Sequence, residues 1–176
     1  MKENIMNSRF IVLTLIILGA AFTRLIPHYP NFTAIGAVAL FGGAYYSKKW
    51  LAFIIPLAAL FLTDLIIGFY SQMWIVYLSF ILIVLIGMTL QGAKKPGKVV
   101  LASISASVSF FLITNFAMWY GSAIYPQNFT GIMESYTAAI PFFSYTLLGD
   151  LFFVGIMFGL FEIAKAKFPV LAKAEI

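Results

Sequence analysis

The chain has 176 residues, 62% of them hydrophobic and only 10% charged. A soluble domain of that length has too little interior to hide so much apolar side chain, which points to a polytopic membrane protein. The formal charge of +5 does not argue for nucleic acid, because the lysines stand in short pairs at segment ends; the absence of cysteine excludes disulfides, thiolate metal sites and a cysteine nucleophile.

Apolar runs separated by polar punctuation predict six membrane-spanning helices in a single domain, at about 9–25, 32–46, 49–69, 74–90, 99–119 and 139–164. Most approach the roughly 20 residues needed to cross about 30 Å of hydrocarbon. The first follows Lys2 and Arg9 and ends in Gly19, Ala20 and Ala21, which imitates a signal peptide. It is read here as a retained helix.

The second segment is short and glycine-rich and follows Pro27 and Pro30. Broken half-length segments point to a binding site, since irregular backbone at membrane depth survives only where protein or a cavity satisfies it. Between the fifth and sixth segments, 120–138 reads as a long outer loop able to close over such a site. Its Tyr125-Pro126-Gln127-Asn128-Phe129-Thr130 echoes Tyr29-Pro30-Asn31-Phe32-Thr33, and helix capping by Pro, Asn and Thr is the simpler explanation of the echo.

Charge sets the expected orientation. Six crossings with the N-terminus inside gather Lys2, Arg9, Lys48, Lys49, Lys94, Lys95, Lys98, Lys165, Lys167 and Lys173 on the cytoplasmic face and leave Arg24 alone outside. Dropping one crossing would send the later lysine clusters to the opposite face. Both termini are therefore expected in the cytoplasm.

Ionisable groups at membrane depth are costly and each needs a reason. Asp64, in FLTDLIIGFY, lies at a depth similar to that of Arg24, so the two suit an ion pair that can be structural or can face a ligand. Asp150, in LLGDLFF, lies near mid-membrane with Thr146 one turn before it, either as a helix-to-helix hydrogen bond or as the floor of a polar cavity. Asn115 and Trp119 share a helix face at the outer end of the fifth segment, where Trp is commonly an interfacial anchor and alternatively a stacking surface. His28 is the sole histidine, which makes a metal site built by the protein alone an unlikely use of it. With Asn31 and Tyr125 from the two echoing stretches, Arg24, His28, Asp64, Asn115, Trp119 and Asp150 form the expected ligand-binding set. No GxSxG, HExxH or P-loop occurs, so neither an enzyme, a cofactor nor a metal is expected. Small residues four apart, Ala39 with Gly43 and Gly155 with Gly159, mark packing faces within the bundle or toward a membrane partner.

The blocks PNFTAIGAVALFGGAYY, PLAALFLTDLIIGFY, LITNFAMWYGSAIYP and AAIPFFSYTLLGDLFF resemble an uncharacterised family of small bacterial integral membrane proteins, over about residues 24–160. The layout more distantly resembles the S-components of energy-coupling-factor vitamin transporters, and is similar to the small solitary cobalamin transporters related to them. That resemblance implies a six-helix S-component-like bundle in the bacterial inner membrane, capturing a vitamin-like molecule from outside. Two departures stand out. The first helix lacks small residues spaced by four for docking a coupling subunit, and no cysteine faces a cobalt, leaving only His28 to replace it. Under the transport reading, Arg24→Ala abolishes binding and leaves a folded bundle; the rival is a non-transporting accessory subunit of a larger membrane complex.

Overall fold

A computed structural model describes residues 7–92 and 94–172. Six helices carry the fold: α1 (Ser8–Phe22), α2 (Ile35–Tyr45), α3 (Lys49–Ile67), α4 (Met73–Met88), α5 (Pro96–Trp119) and α6 (Phe129–Lys167). Two short 3-10 turns, Thr23–Leu25 and Pro169–Ala172, follow α1 and α6, and no strand occurs among the described residues. The first helix, extended through Leu25, together with α3, α5 and α6 is long and apolar enough to cross a membrane; α2 and α4 are shorter apolar helices.

Local chemistry explains the boundaries. Asn7 caps α1 by accepting from the Phe10 amide at 2.9 Å, and Asn128 caps α6 by accepting from the Gly131 amide at 3.1 Å. Pro96 opens α5 in the first turn, where a missing N–H costs nothing. Gly68, at φ 106°, stops α3, donating its amide to the Asp64 carbonyl at 2.8 Å.

The core is organised around α2. Ten of its eleven residues, Gly36 to Tyr45, are buried, and it packs on every other helix. Glycine makes that possible: a Cβ at Gly43 would strike the Val84 carbonyl and the backbone of Gly87 on α4, and one at Gly42 would strike the Pro56 ring on α3. Ala39 and Gly43, read as a packing face within the bundle or toward a membrane partner, are both buried inside the chain, and α4 lies directly on Gly43. Gly155 and Gly159 remain open, with no atom within 4 Å of a built Cβ.

The expected loop at 120–138 is shorter than the sequence suggests. Residues 129–138 are helical, so α6 runs for 39 residues and passes through Pro141 without ending. The polar run that looked like loop is satisfied by α5: Ser135 donates to the Asn115 carbonyl at 3.1 Å and Tyr136 to the Leu112 carbonyl at 2.7 Å.

The two described ends of the chain meet. Arg9, at the start of α1, donates to the Leu171 carbonyl at 2.8 Å and to the Tyr45 carbonyl at 3.2 Å. The start of α1, the end of α2 and the residues after α6 thus share one end of the bundle.

Candidate functional site

The opposite end holds the charged cluster. The 3-10 turn after α1 carries Arg24 inward, where its guanidinium pairs with the Asp64 carboxylate and donates to the Thr63 hydroxyl at 3.1 Å. Asp64 is wholly buried and takes a second bond from the Tyr77 hydroxyl of α4 at 2.9 Å. Two helices and the turn are thereby tied through one carboxylate, which supplies the compensation a buried charge requires. Tyr70, in the link between α3 and α4, closes over the pair; burial first, and then the Asp64 charge, pushes its phenol above the ordinary value and keeps it protonated.

Asp150 stands near the middle of α6 and is 4% exposed. It accepts from the Ser107 hydroxyl of α5 at 2.7 Å and from the backbone amide of Ala37, in the first turn of α2. The residue preceding α2, Ala34, offers no capping side chain, so a carboxylate from another helix takes that role. Glycines admit it: a Cβ at Gly36 would land on the Asp150 carboxylate, and one at Gly149 would press within 3.1–3.3 Å of the Phe32–Thr33 backbone.

A cavity of about 210 Å³ lies between these two clusters. Arg24 and Tyr70 stand at one end and Asp150 with Gly36 at the other; Asn31, Thr33 and Thr146 add polar groups, and the walls are apolar, among them Leu60, Phe80, Ile83 and Phe110. A smaller cavity of about 130 Å³ adjoins it, sharing Asn31, Phe110 and Thr146 and adding Asn115. Asn31 reaches both from a backbone at φ 64°, a left-handed conformation that Asn tolerates better than most side chains.

Of the expected set, the cavity joins Arg24, Asn31 and Asp150, with Asp64 directly behind Arg24 and Asn115 next door. The others lie elsewhere. His28 is exposed, its Nδ1 2.8 Å from the neighbouring Tyr29 carbonyl. The Trp119 indole donates to the Pro126 carbonyl at 2.8 Å, and Tyr125 sits in the same turn, its carbonyl accepting from Gln127 at 3.0 Å. Those residues fasten the connection between α5 and α6. Tyr70, Tyr77, Thr33 and Gly36 escaped the sequence reading, and only the hydroxyls of the two tyrosines within apolar surroundings signalled them.

Among the described residues no group of three His, Cys, Asp or Glu side chains comes together to hold a metal.

No curated protein and no solved structure matches the chain. One family model does, over residues 4–171, and the chain belongs to that family of unknown function, DUF6580.

Proposed function

We propose that this chain is a membrane-embedded binding protein that takes up a small, vitamin-like molecule through the interior cavity between Arg24 and Asp150. The cavity is the observation that carries the reading: a space with polar groups at both ends and apolar walls. At about 210 Å³ it falls below the roughly 300–1,000 Å³ of typical ligand sites. The adjoining cavity supplies further room, once a side chain such as Phe110 turns aside.

In this reading the six helices are six crossings of a bacterial inner membrane, laid out like an S-component, with both termini in the cytoplasm and Arg24 on the outer side. The lysine distribution supports that orientation, and so does the meeting of Arg9 with Leu171, which requires both described ends at one end of the bundle. Entry is then from the outer side, past Tyr70.

Native mass spectrometry of the protein purified in mild detergent tests the reading. Thr146→Phe fills the cavity, and Asn31→Gly removes an amide at a φ that glycine accepts without strain. A bound small molecule on the wild type, lost from Thr146→Phe and weakened in Asn31→Gly, is the expected result. Equal occupancy in wild type and Thr146→Phe, or an empty wild type, counts against it.

The second reading, a non-transporting subunit of a larger complex, is favoured by the open α6 surface at Gly155 and Gly159. It expects a co-purifying membrane protein in place of a small molecule.

A further inference from the structure

A separate groove of about 360 Å³ runs between the start of α5 and the second half of α6. Its sides are Val99 and Val100 from α5 and Leu151, Val154 and Phe158 from α6. Its floor is the pair Gly155 and Gly159, where side chains would meet open space. From Leu151 to Glu162 the groove follows twelve residues of helix, a length of ~16 Å. That is one leaflet of a hydrocarbon core about 30 Å thick.

The groove is apolar along its length and charged at one end. Lys94 stands at that end, its Nζ 4.8 Å over the Tyr45 ring, and among the described residues it has no salt-bridge partner. Lys165 lies 5.8 Å from the same ring and Arg9 lies 5.5 Å from the adjoining Phe161 ring. Among the described residues Glu162 is the one carboxylate here, and it is already bonded to Lys165 at 2.7 Å and to the Tyr45 hydroxyl at 2.6 Å. Among the described residues Arg9 bonds to carbonyl groups and to no carboxylate. Among the described residues three cations therefore face one carboxylate at the mouth of an apolar slot one leaflet long. Burial, followed by the Lys165 and Arg9 charges, lowers the Lys94 pKa, as expected of an ammonium crowded by cations.

We infer that this groove holds an acyl chain of an anionic phospholipid, with the lipid phosphate seated against Lys94. The charge balance selects the headgroup: a phosphate supplies the missing anion, whereas a choline group brings a fourth cation to a site with three. The length and the glycine floor select the tail, since a single extended chain fits a slot without side chains along its base.

Delipidated full-length protein, titrated with phosphatidylglycerol or with phosphatidylcholine of the same acyl chains and read by native mass spectrometry, tests this. One phosphatidylglycerol adduct is expected to survive activation that strips phosphatidylcholine. Lys94→Gln lowers its occupancy about fivefold, the worth of one basic side chain at a lipid surface. Gly159→Leu blocks the tail from α6, and Val100→Phe blocks it from α5, so the readout does not depend on one variant folding. Equal retention of the two lipids overturns the inference, as does undiminished phosphatidylglycerol binding in Lys94→Gln or in a folded groove-filling variant. A second protein chain on the wild type, displaced by Gly159→Leu, also overturns it and returns the groove to the subunit reading. The small-molecule test at Thr146 is independent of all these outcomes.

Discussion

Arg24→Ala is the most informative change to the interior, and its first effect is on stability. Asp64 is 0% exposed, and without Arg24 its carboxylate keeps the hydrogen bond from the Tyr77 hydroxyl and loses its counter-charge. Breaking a buried ion pair by removing one member costs about 3–5 kcal/mol, because the survivor stays desolvated. The Arg24 side chain is 17% exposed, so water reaches the vacated place and the loss falls at the lower end, about 3 kcal/mol. On the scale of about 2–4 °C per kcal/mol for chains of this size, the unfolding midpoint drops by about 10 °C. The assay is thermal unfolding in detergent of four proteins: wild type, Arg24→Ala, Asp64→Asn and the double variant. Asparagine removes the charge and still accepts from Tyr77, so the double variant should melt close to Asp64→Asn alone, a coupling of about 3 kcal/mol. Strictly additive losses, or an Arg24→Ala protein that melts like wild type, would refute the reasoning. The variant is still expected to fold, at lower stability, so loss of binding by it alone would not identify Arg24 as a ligand contact.

Other predictions follow from the same contacts. Gly43→Ala places a methyl against the α4 backbone, which cannot move aside as a side chain can, and should cost about 1–3 kcal/mol in the same melts. Gly155→Ala meets open space and should be neutral or stabilising by up to about 1 kcal/mol through helix propensity. Asp150→Ala removes the acceptor at the start of α2 and leaves the Ala37 amide and the Ser107 hydroxyl without it, a loss of about 1–2 kcal/mol; hydrogen exchange at Ala37 should accelerate while α3 stays protected. Gln127→Ala removes four bonds, three donated to the carbonyls of Trp119, Ser122 and Tyr125 and one accepted from the Gly121 amide, and should open the turn between α5 and α6 to limited proteolysis with little change in the melt. The pH dependence of Lys94 has a definite sign: with its pKa below the ordinary 10.5 in the fold, the folded chain binds fewer protons, so stability rises with pH through the window just below that value. Lys94→Gln should flatten that slope.

Part of this was legible in the sequence for physical reasons. Apolar runs of membrane length and the glycine-rich break marked the helices and singled out α2, because composition alone reports what a segment must hide. Arg24 with Asp64 was legible as well, since two rare charges at similar depth have few other partners. The meaning of the small residues was not. Ala39 with Gly43 and Gly155 with Gly159 have the same spacing, yet the first pair is buried, with Gly43 pressed against α4, and the other faces open space. Spacing fixes a face, and only the arrangement of the neighbours decides what covers it. The first turns of α6 were misread for a related reason: Ser135 and Tyr136 look like loop residues until α5 supplies the carbonyls they bond. Trp119 and Asn115 do share a helix face, but the indole is committed to Pro126 and leaves Asn115 alone beside a cavity.

The pairing of the charges also limits what the interior can recognise. At 1.5 Å per residue α2 is ~16 Å long, about half the hydrocarbon depth, so its amino end stops inside the bundle and directs its unpaired N–H groups toward the cavity. Such an end ordinarily invites an anion, and here the Asp150 carboxyl already accepts from the Ala37 amide. At the far end Arg24 is likewise occupied, by Asp64. A ligand with net charge would surrender its hydration and find each opposite charge already paired, which is a net loss in an apolar setting. The groups left to address it are the amide of Asn31 and the hydroxyls of Thr33 and Thr146, set among Leu60, Phe80, Ile83 and Phe110. Those groups suit a neutral molecule with a hydrogen-bonding edge and an apolar body. In a native mass spectrometry screen of neutral and anionic ligands of matched size, the neutral members should bind the wild type and lose occupancy in Thr146→Phe. Preferential retention of the anionic members would mean that Arg24 leaves Asp64 on binding, and would reverse the assignment.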